Sequence, residues 1–232
     1  MSDWTEFVCA AVVFLASHAL PARPGWRAKL VRTIGRPVYG LTYSLVSFFL
    51  LGWLIMAADR APYVMIWPGS AWGVWAANVL MLLSVWLVIS GIAIANPFSL
   101  GGVSSKSFDP EQPGVLAVTR HPMLWGLTLW SAAHLIVNGD IAHVLLFGGL
   151  GLFAVLGLAM LEGRARRQAG ASWSRQTERT SLVPFAALVS GRSKWSGLVS
   201  WRICLAIIVW TTIVWLHRPI LGVSPLPALL GA

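Results

Sequence analysis

Charge is scarce in this sequence, and acidic charge scarcer still: 11% of the 232 residues are charged, with eight Asp or Glu against seventeen Lys or Arg. With 57% hydrophobic residues and a mean hydropathy of +0.72, that shortage excludes a soluble globular domain of this length. Cysteine is nearly absent. Cys9 and Cys204 lie far apart, each inside an apolar run and without CxxC spacing, so neither a disulfide nor a zinc site is expected and packing is their expected role. There is no internal repeat, no low-complexity linker and no second domain, so residues 1–232 read as one domain. No RNP, finger or helix-turn-helix pattern accompanies the net charge of +9, and no nucleic acid is expected as a partner. Topology and attraction to anionic lipid explain the charge.

Long apolar runs are plentiful instead. A helix needs about 20 mostly apolar residues to cross a hydrocarbon core of about 30 Å. Six runs approach this: Trp4 to Leu20, Tyr39 to Ala58, Ala71 to Ala95, Pro122 to Val137, Ile141 to Leu161 and Leu198 to Leu216. The expected fold is an all-α, polytopic membrane bundle of about six transmembrane helices. The fourth and fifth runs are so close that they form a hairpin turning at Asn138, Gly139 and Asp140, residues that tolerate left-handed backbone angles. Asp3 and Glu6 lie ahead of the apolar part of the first run, where a signal peptide would carry positive charge, so it reads as a retained helix. If the helices alternate, fifteen of the seventeen Lys and Arg fall on one side, all but Arg60 and Arg218. The positive-inside rule makes that side cytoplasmic and both termini non-cytoplasmic, in an expected bacterial inner membrane.

Within this bilayer frame the polar residues at depth stand out. A charge at the centre of a span costs about 2.5 to 3.5 kcal/mol on insertion scales, so such groups face protein. Arg120, Leu124, Leu127, Ser131, His134 and Asn138 follow one another at helical steps of four and three, putting four polar side chains on one stripe of the fourth run. His18 closes the first run. Neutral imidazoles in a dry bundle suit the axial positions of an iron porphyrin, while hydrogen bonding between helices explains the same residues without chemistry. His143 and His217 lie near the outer interface. In Arg120-His121-Pro122 the proline favours a first helical turn and the basic pair marks a membrane boundary.

TRHPMLWGLTLWSAAHLIVNGD (Thr119 to Asp140), with SHAL from Ser17 and ERTSLVPFAALVSGR from Glu178, closely resembles the NnrU family and its relatives, the 15-cis-zeta-carotene isomerases. The likeness runs from about His18 to His217, and RHPxxxGxxxWxxAHxxxNG is its specific core. The resemblance implies a membrane protein that in the isomerase branch carries haem b and converts a cis double bond of a linear carotene. In the other branch it implies a role in denitrification, without an established reaction. It carries the haem-ligand role onto His18 and His134, with a hydrophobic small molecule as substrate. It also marks Ser131 as a departure, because plant-type isomerases have there a cysteine that is an alternative ligand.

At 1.5 Å per residue, His134 lies about 20 Å deeper than His121. His18 is close to the basic side, so on depth alone His18 with His121 is the competing pair. Arg120, His121, Asn138 and Glu162 form a supporting motif, in which Arg120, His121, Glu162 and Arg166 are expected to hold the hairpin mouth. RHPxxxG followed by Asn138, Glu162 and Arg164 also resembles the isoprenylcysteine and phospholipid methyltransferases, which bind S-adenosylmethionine. Those enzymes carry paired acidic residues after the hairpin, whereas here Gly163 follows Glu162. A non-enzymatic accessory protein is the third reading.

Overall fold

The computed structural model describes residues 4–99, 107–195 and 200–227. Lys106 and Leu198, which entered the charge count and the sixth run, lie outside the described residues. Every regular element among those described is a helix. In chain order the α-helices are α1 (Thr5–Ala22), α2 (Pro24–Ile34), α3 (Arg36–Arg60), α4 (Ala71–Gly91), α5 (Pro122–Val137), α6 (Ile141–Ala169), α7 (Trp173–Thr177), α8 (Ala186–Val189) and α9 (Trp201–Leu221), with short 3-10 turns at Gly114–Ala117 and Gly170–Ser172. The helices beginning at Arg36, Ala71, Ile141 and Trp201 are long and apolar enough to cross a membrane, while α1 and α5 are shorter apolar helices. This is a helical, multi-pass membrane architecture. The chain divides into two compact units, one of Met1–Trp67 with Gly139–Leu146 and one of Pro68–Asn138 with Phe147–Ala232.

In the first unit α1 and α3 run antiparallel. Glu6 at the start of α1 accepts from Trp53 Nε1 at 3.2 Å and from Arg60 Nη1 at 3.0 Å near the end of α3. Phe7, Ala10 and Phe14 bury one side of α1, and Leu50, Leu54, Ala57 and Ala58 one side of α3. Between them in the chain stands α2, within the stretch that separates the first two apolar runs and carries Arg23, Arg27, Lys29, Arg32 and Arg36. Pro24 opens it and Gly35, at φ +80°, ends it. The stretch after α3 lies antiparallel to the hairpin turn: Ile66 N–H donates to Gly139 O at 2.6 Å and Ile141 N–H to Val64 O at 2.9 Å. A Cβ on Gly139 would lie 2.0 Å from the Trp67 carbonyl oxygen, so only glycine fits this close approach. Asp140 caps α6, accepting from His143 N–H at 3.2 Å and pairing with His143 Nδ1 at 2.8 Å.

In the second unit α4 and α5 pack closely because small residues line their contact. Ser84 Oγ donates to Gly126 O at 2.7 Å, and a Cβ on Gly126 would meet Val88 Cγ2 at 2.6 Å. Gly151 of α6 faces Ser131 of α5, and Gly157 faces Leu124. Arg202 of α9 uses Nη1 to bond the carbonyls of Ile89, Ser90 and Ile92 at 2.8, 3.0 and 2.8 Å, supplying the end of α4 with donors its own backbone lacks. Cys9 and Cys204 are both exposed, which corrects the packing role expected of them. Each falls on an outward side of its helix, where the hydrophobicity of the thiol suits lipid as well as a core.

Candidate functional site

Thr119 to Pro122 enter α5 through a buried bend. Arg120 N–H donates to Ser181 O at 2.6 Å, Phe185 N–H to Val118 O at 2.9 Å and Thr119 Oγ1 to Leu182 O at 3.1 Å. The chain before α5 is thereby laced to residues 181–185, and Trp125 Nε1 adds a bond to Leu182 O at 3.0 Å. The lacing places Arg120 and His121 against the far end of the α6 apolar run.

There Arg120 meets Glu162 as a fork, Nε to Oε2 at 3.2 Å and Nη2 to Oε1, while Nη1 donates to Thr180 Oγ1 at 3.2 Å. The guanidinium carbon also lies 5.8 Å from the Phe98 ring centre and 5.6 Å from that of Trp173, two rings set edge to face. A planar, weakly hydrated cation is what such a setting accepts. His121 is fully buried, its Nε2 2.9 Å from Glu162 Oε2 and its Nδ1 without a partner among the described residues. Both Glu162 oxygens are thus engaged by the protein itself. Arg120, His121 and Glu162 come together as expected of the hairpin mouth. Arg166 does not join them; it is exposed, and Thr180 takes that place. Phe98, Trp173 and Thr180 were not singled out from sequence, although Thr180 lies within ERTSLVPFAALVSGR.

His134 and His18 are held differently from His121. His134 Nδ1 donates to Trp130 O, four residues back, at 2.8 Å, and its ring lies 5.0 Å from Trp130 and 4.8 Å from Phe147. In the other unit His18 Nδ1 donates to Phe14 O, also four residues back, at 2.8 Å, with Phe14 at 4.2 Å and Tyr43 at 5.5 Å. A carbonyl oxygen cannot donate, so Nδ1 carries the hydrogen in each ring, and the neutral form of that tautomer has its lone pair on Nε2. The expected polar stripe is largely buried at Arg120, Leu124 and Ser131, but Leu127 is exposed.

Asn138 ends α5, its Nδ2 bonding His134 O at 2.8 Å. It shares a cavity of about 280 Å³ with Asn78, Ala133, His134, Trp210 and His217. His217 Nδ1 donates to Val223 O at 2.9 Å, and His143 is occupied by Asp140. No group of three or more His, Cys, Asp or Glu able to hold a metal ion occurs among the described residues.

Among known proteins, the 15-cis-zeta-carotene isomerase, chloroplastic, of Zea mays is 28% identical over 99 residues, 43% of this chain and 27% of the maize protein. The enzyme of the same name from Arabidopsis thaliana is 27% identical over 127 residues, 54% of this chain and 33% of its own length. The matched stretch therefore spans about a third or less of these relatives. No solved structure matches. The match to the NnrU family, described as NnrU protein, extends over residues 6–225, from α1 past α9, and the chain belongs to that family.

Proposed function

We propose that this NnrU-family protein is a membrane isomerase acting on a linear, carotene-like polyene, with haem b held by His18 and His134. The observation that carries the haem reading is the shared presentation of these two histidines: an Nδ1–H bonded to a backbone carbonyl, an Nε2 lone pair, and aromatic rings on the flanks. His18 and His134 would hold the group through Nε2, since an imidazole that ligates a metal ordinarily has its second nitrogen fixed by such a bond. The isomerase reading draws its support from the maize and Arabidopsis relatives.

When bound, the haem iron would supply the electronic interaction that lowers the barrier to rotation about a cis double bond, without net redox change. The chain's own share is orientation and exclusion of water. The bonds to Phe14 O and Trp130 O fix the two imidazole rotamers, and Phe14, Tyr43, Trp130 and Phe147 give their rings apolar neighbours. Arg120, His121 and Glu162 close the hairpin mouth as an ion-paired anchor. Because both Glu162 oxygens are occupied within the protein, this geometry favours the anchor over S-adenosylmethionine binding there. In the bilayer, the basic end of the hairpin faces the cytoplasm.

The test is an absorption spectrum of protein purified from haem-replete cells, followed by conversion of 15-cis-zeta-carotene in detergent. A low-spin Soret band is expected, turning high-spin or weak in His18→Ala and in His134→Ala. A band unaffected by both substitutions would overturn the ligand assignment, and haem-loaded protein that leaves the carotene unchanged would overturn the isomerase reading.

A further inference from the structure

Between Glu6 and Asp59 the chain has no acidic residue, yet Arg23, Arg27, Lys29, Arg32 and Arg36 gather in and beside α2. Among the described residues, none of the five joins a salt bridge. At about 100° per residue, Trp26, Leu30 and Ile34 fall on one side of α2 and Lys29 and Arg32 on the other. Trp26 is 60% exposed and Ile34 39%. An eleven-residue helix rises about 16 Å, too little to cross a bilayer, yet an outward indole and isoleucine are costly in water. One environment satisfies both sides, the boundary between acyl chains and headgroups.

We propose that α2 is an interfacial helix that binds anionic phospholipid headgroups through Lys29 and Arg32, assisted by Arg23 and Arg36 at its ends. Trp26, Leu30 and Ile34 enter the acyl boundary. Charge complementarity selects the occupant, because these four cations, without carboxylate partners among the described residues, suit a surface rich in phosphate. Arg27 has a different task. Its guanidinium stands 6.0 Å over the Tyr39 ring, Tyr39 stacks on Tyr43 at 6.1 Å, and Tyr43 lies edge-on to His18 at 5.5 Å. A headgroup-bound α2 is thereby joined through three side chains to the surroundings of His18. The proposal rests on the membrane architecture and is independent of haem or isomerase activity.

The experiment uses the full chain in nanodiscs of phosphatidylcholine, alone or in equal parts with phosphatidylglycerol, with retained lipid identified by native mass spectrometry. The wild type is expected to retain phosphatidylglycerol preferentially. Lys29→Gln with Arg32→Gln should lower that retention at least about tenfold, and Lys29→Arg with Arg32→Lys should restore it. On a Cys9→Ser, Cys204→Ser background, a spin label at Ile34→Cys should be reached by oxygen and shielded from an aqueous nickel reagent, and one at Ala28→Cys the reverse. Retention unchanged in the glutamine variant, equal aqueous access at both labels, or displacement of the lipid by inorganic phosphate would each overturn the proposal.

Discussion

Arg120 and Glu162 stand 42 positions apart in the chain and meet as a two-pronged ion pair at the mouth of the α5–α6 hairpin, their side chains only 10% and 17% exposed. The contact closes the hairpin at the end away from its turn. Removing one partner leaves a buried charge without its counterion, whereas Arg120→Lys keeps the charge and removes only the planar fork. Glu162→Ala is expected to cost about 3 kcal/mol and Arg120→Lys less, as differences in thermal unfolding in detergent. Equal stability of Glu162→Ala and wild type would show that water or lipid already serves the arginine.

The glycines of the hairpin separate by environment. Gly126→Ala drives a methyl into Val88 and should cost about 1 to 3 kcal/mol, read as a lower Tm. Gly148→Ala, with nothing within 4 Å of the added carbon, should be neutral or raise stability by about 0.5 to 1 kcal/mol. Similar Tm values for the two variants would contradict the α4–α5 packing.

His121 and His134 lie on one helix and are expected to part company on substitution. His121→Ala should lower Tm and leave any Soret band in place, because this imidazole is tied to Glu162. His143→Ala and His217→Ala should also leave the band unchanged. A spectrum altered by His121→Ala and not by His134→Ala would reassign the ligand to the hairpin mouth.

Orientation is tested with reporters fused after Gly170 and after Leu221. The first should read cytoplasmic and the second not, as the distribution of Lys and Arg requires. The opposite result at both sites would invert the proposed orientation.

The apolar runs made the helices legible, and α5 begins at Pro122 and ends at Val137 as read, because a proline and an Asn-Gly turn are local signals. Helix α2 was hidden by its charge: a basic stretch beside a proline reads as a loop unless its apolar side is followed separately. The surroundings of Arg120 were illegible for another reason. Phe98, Thr180 and Trp173 reach it from segments far away in sequence, and helical periodicity relates only near neighbours. Arg166 was expected at the mouth on spacing from Glu162, yet the turn of α6 carries it to the exposed side.

The turn at Asn138, Gly139 and Asp140 has the composition of a place where a chain accepts an epitope tag or a protease site. Its backbone denies this. Gly139 O accepts from both Ile66 and Trp67, Ile141 N–H is taken by Val64, and the Gly139 Cα lies too close to Trp67 for even one added carbon. Tolerance to insertion follows the freedom of the backbone, not the polarity of the residues. The loop joining α5 to α6 therefore has a fixed length. Gly170, at φ +52° with open space around it, is where an engineered chain can be lengthened.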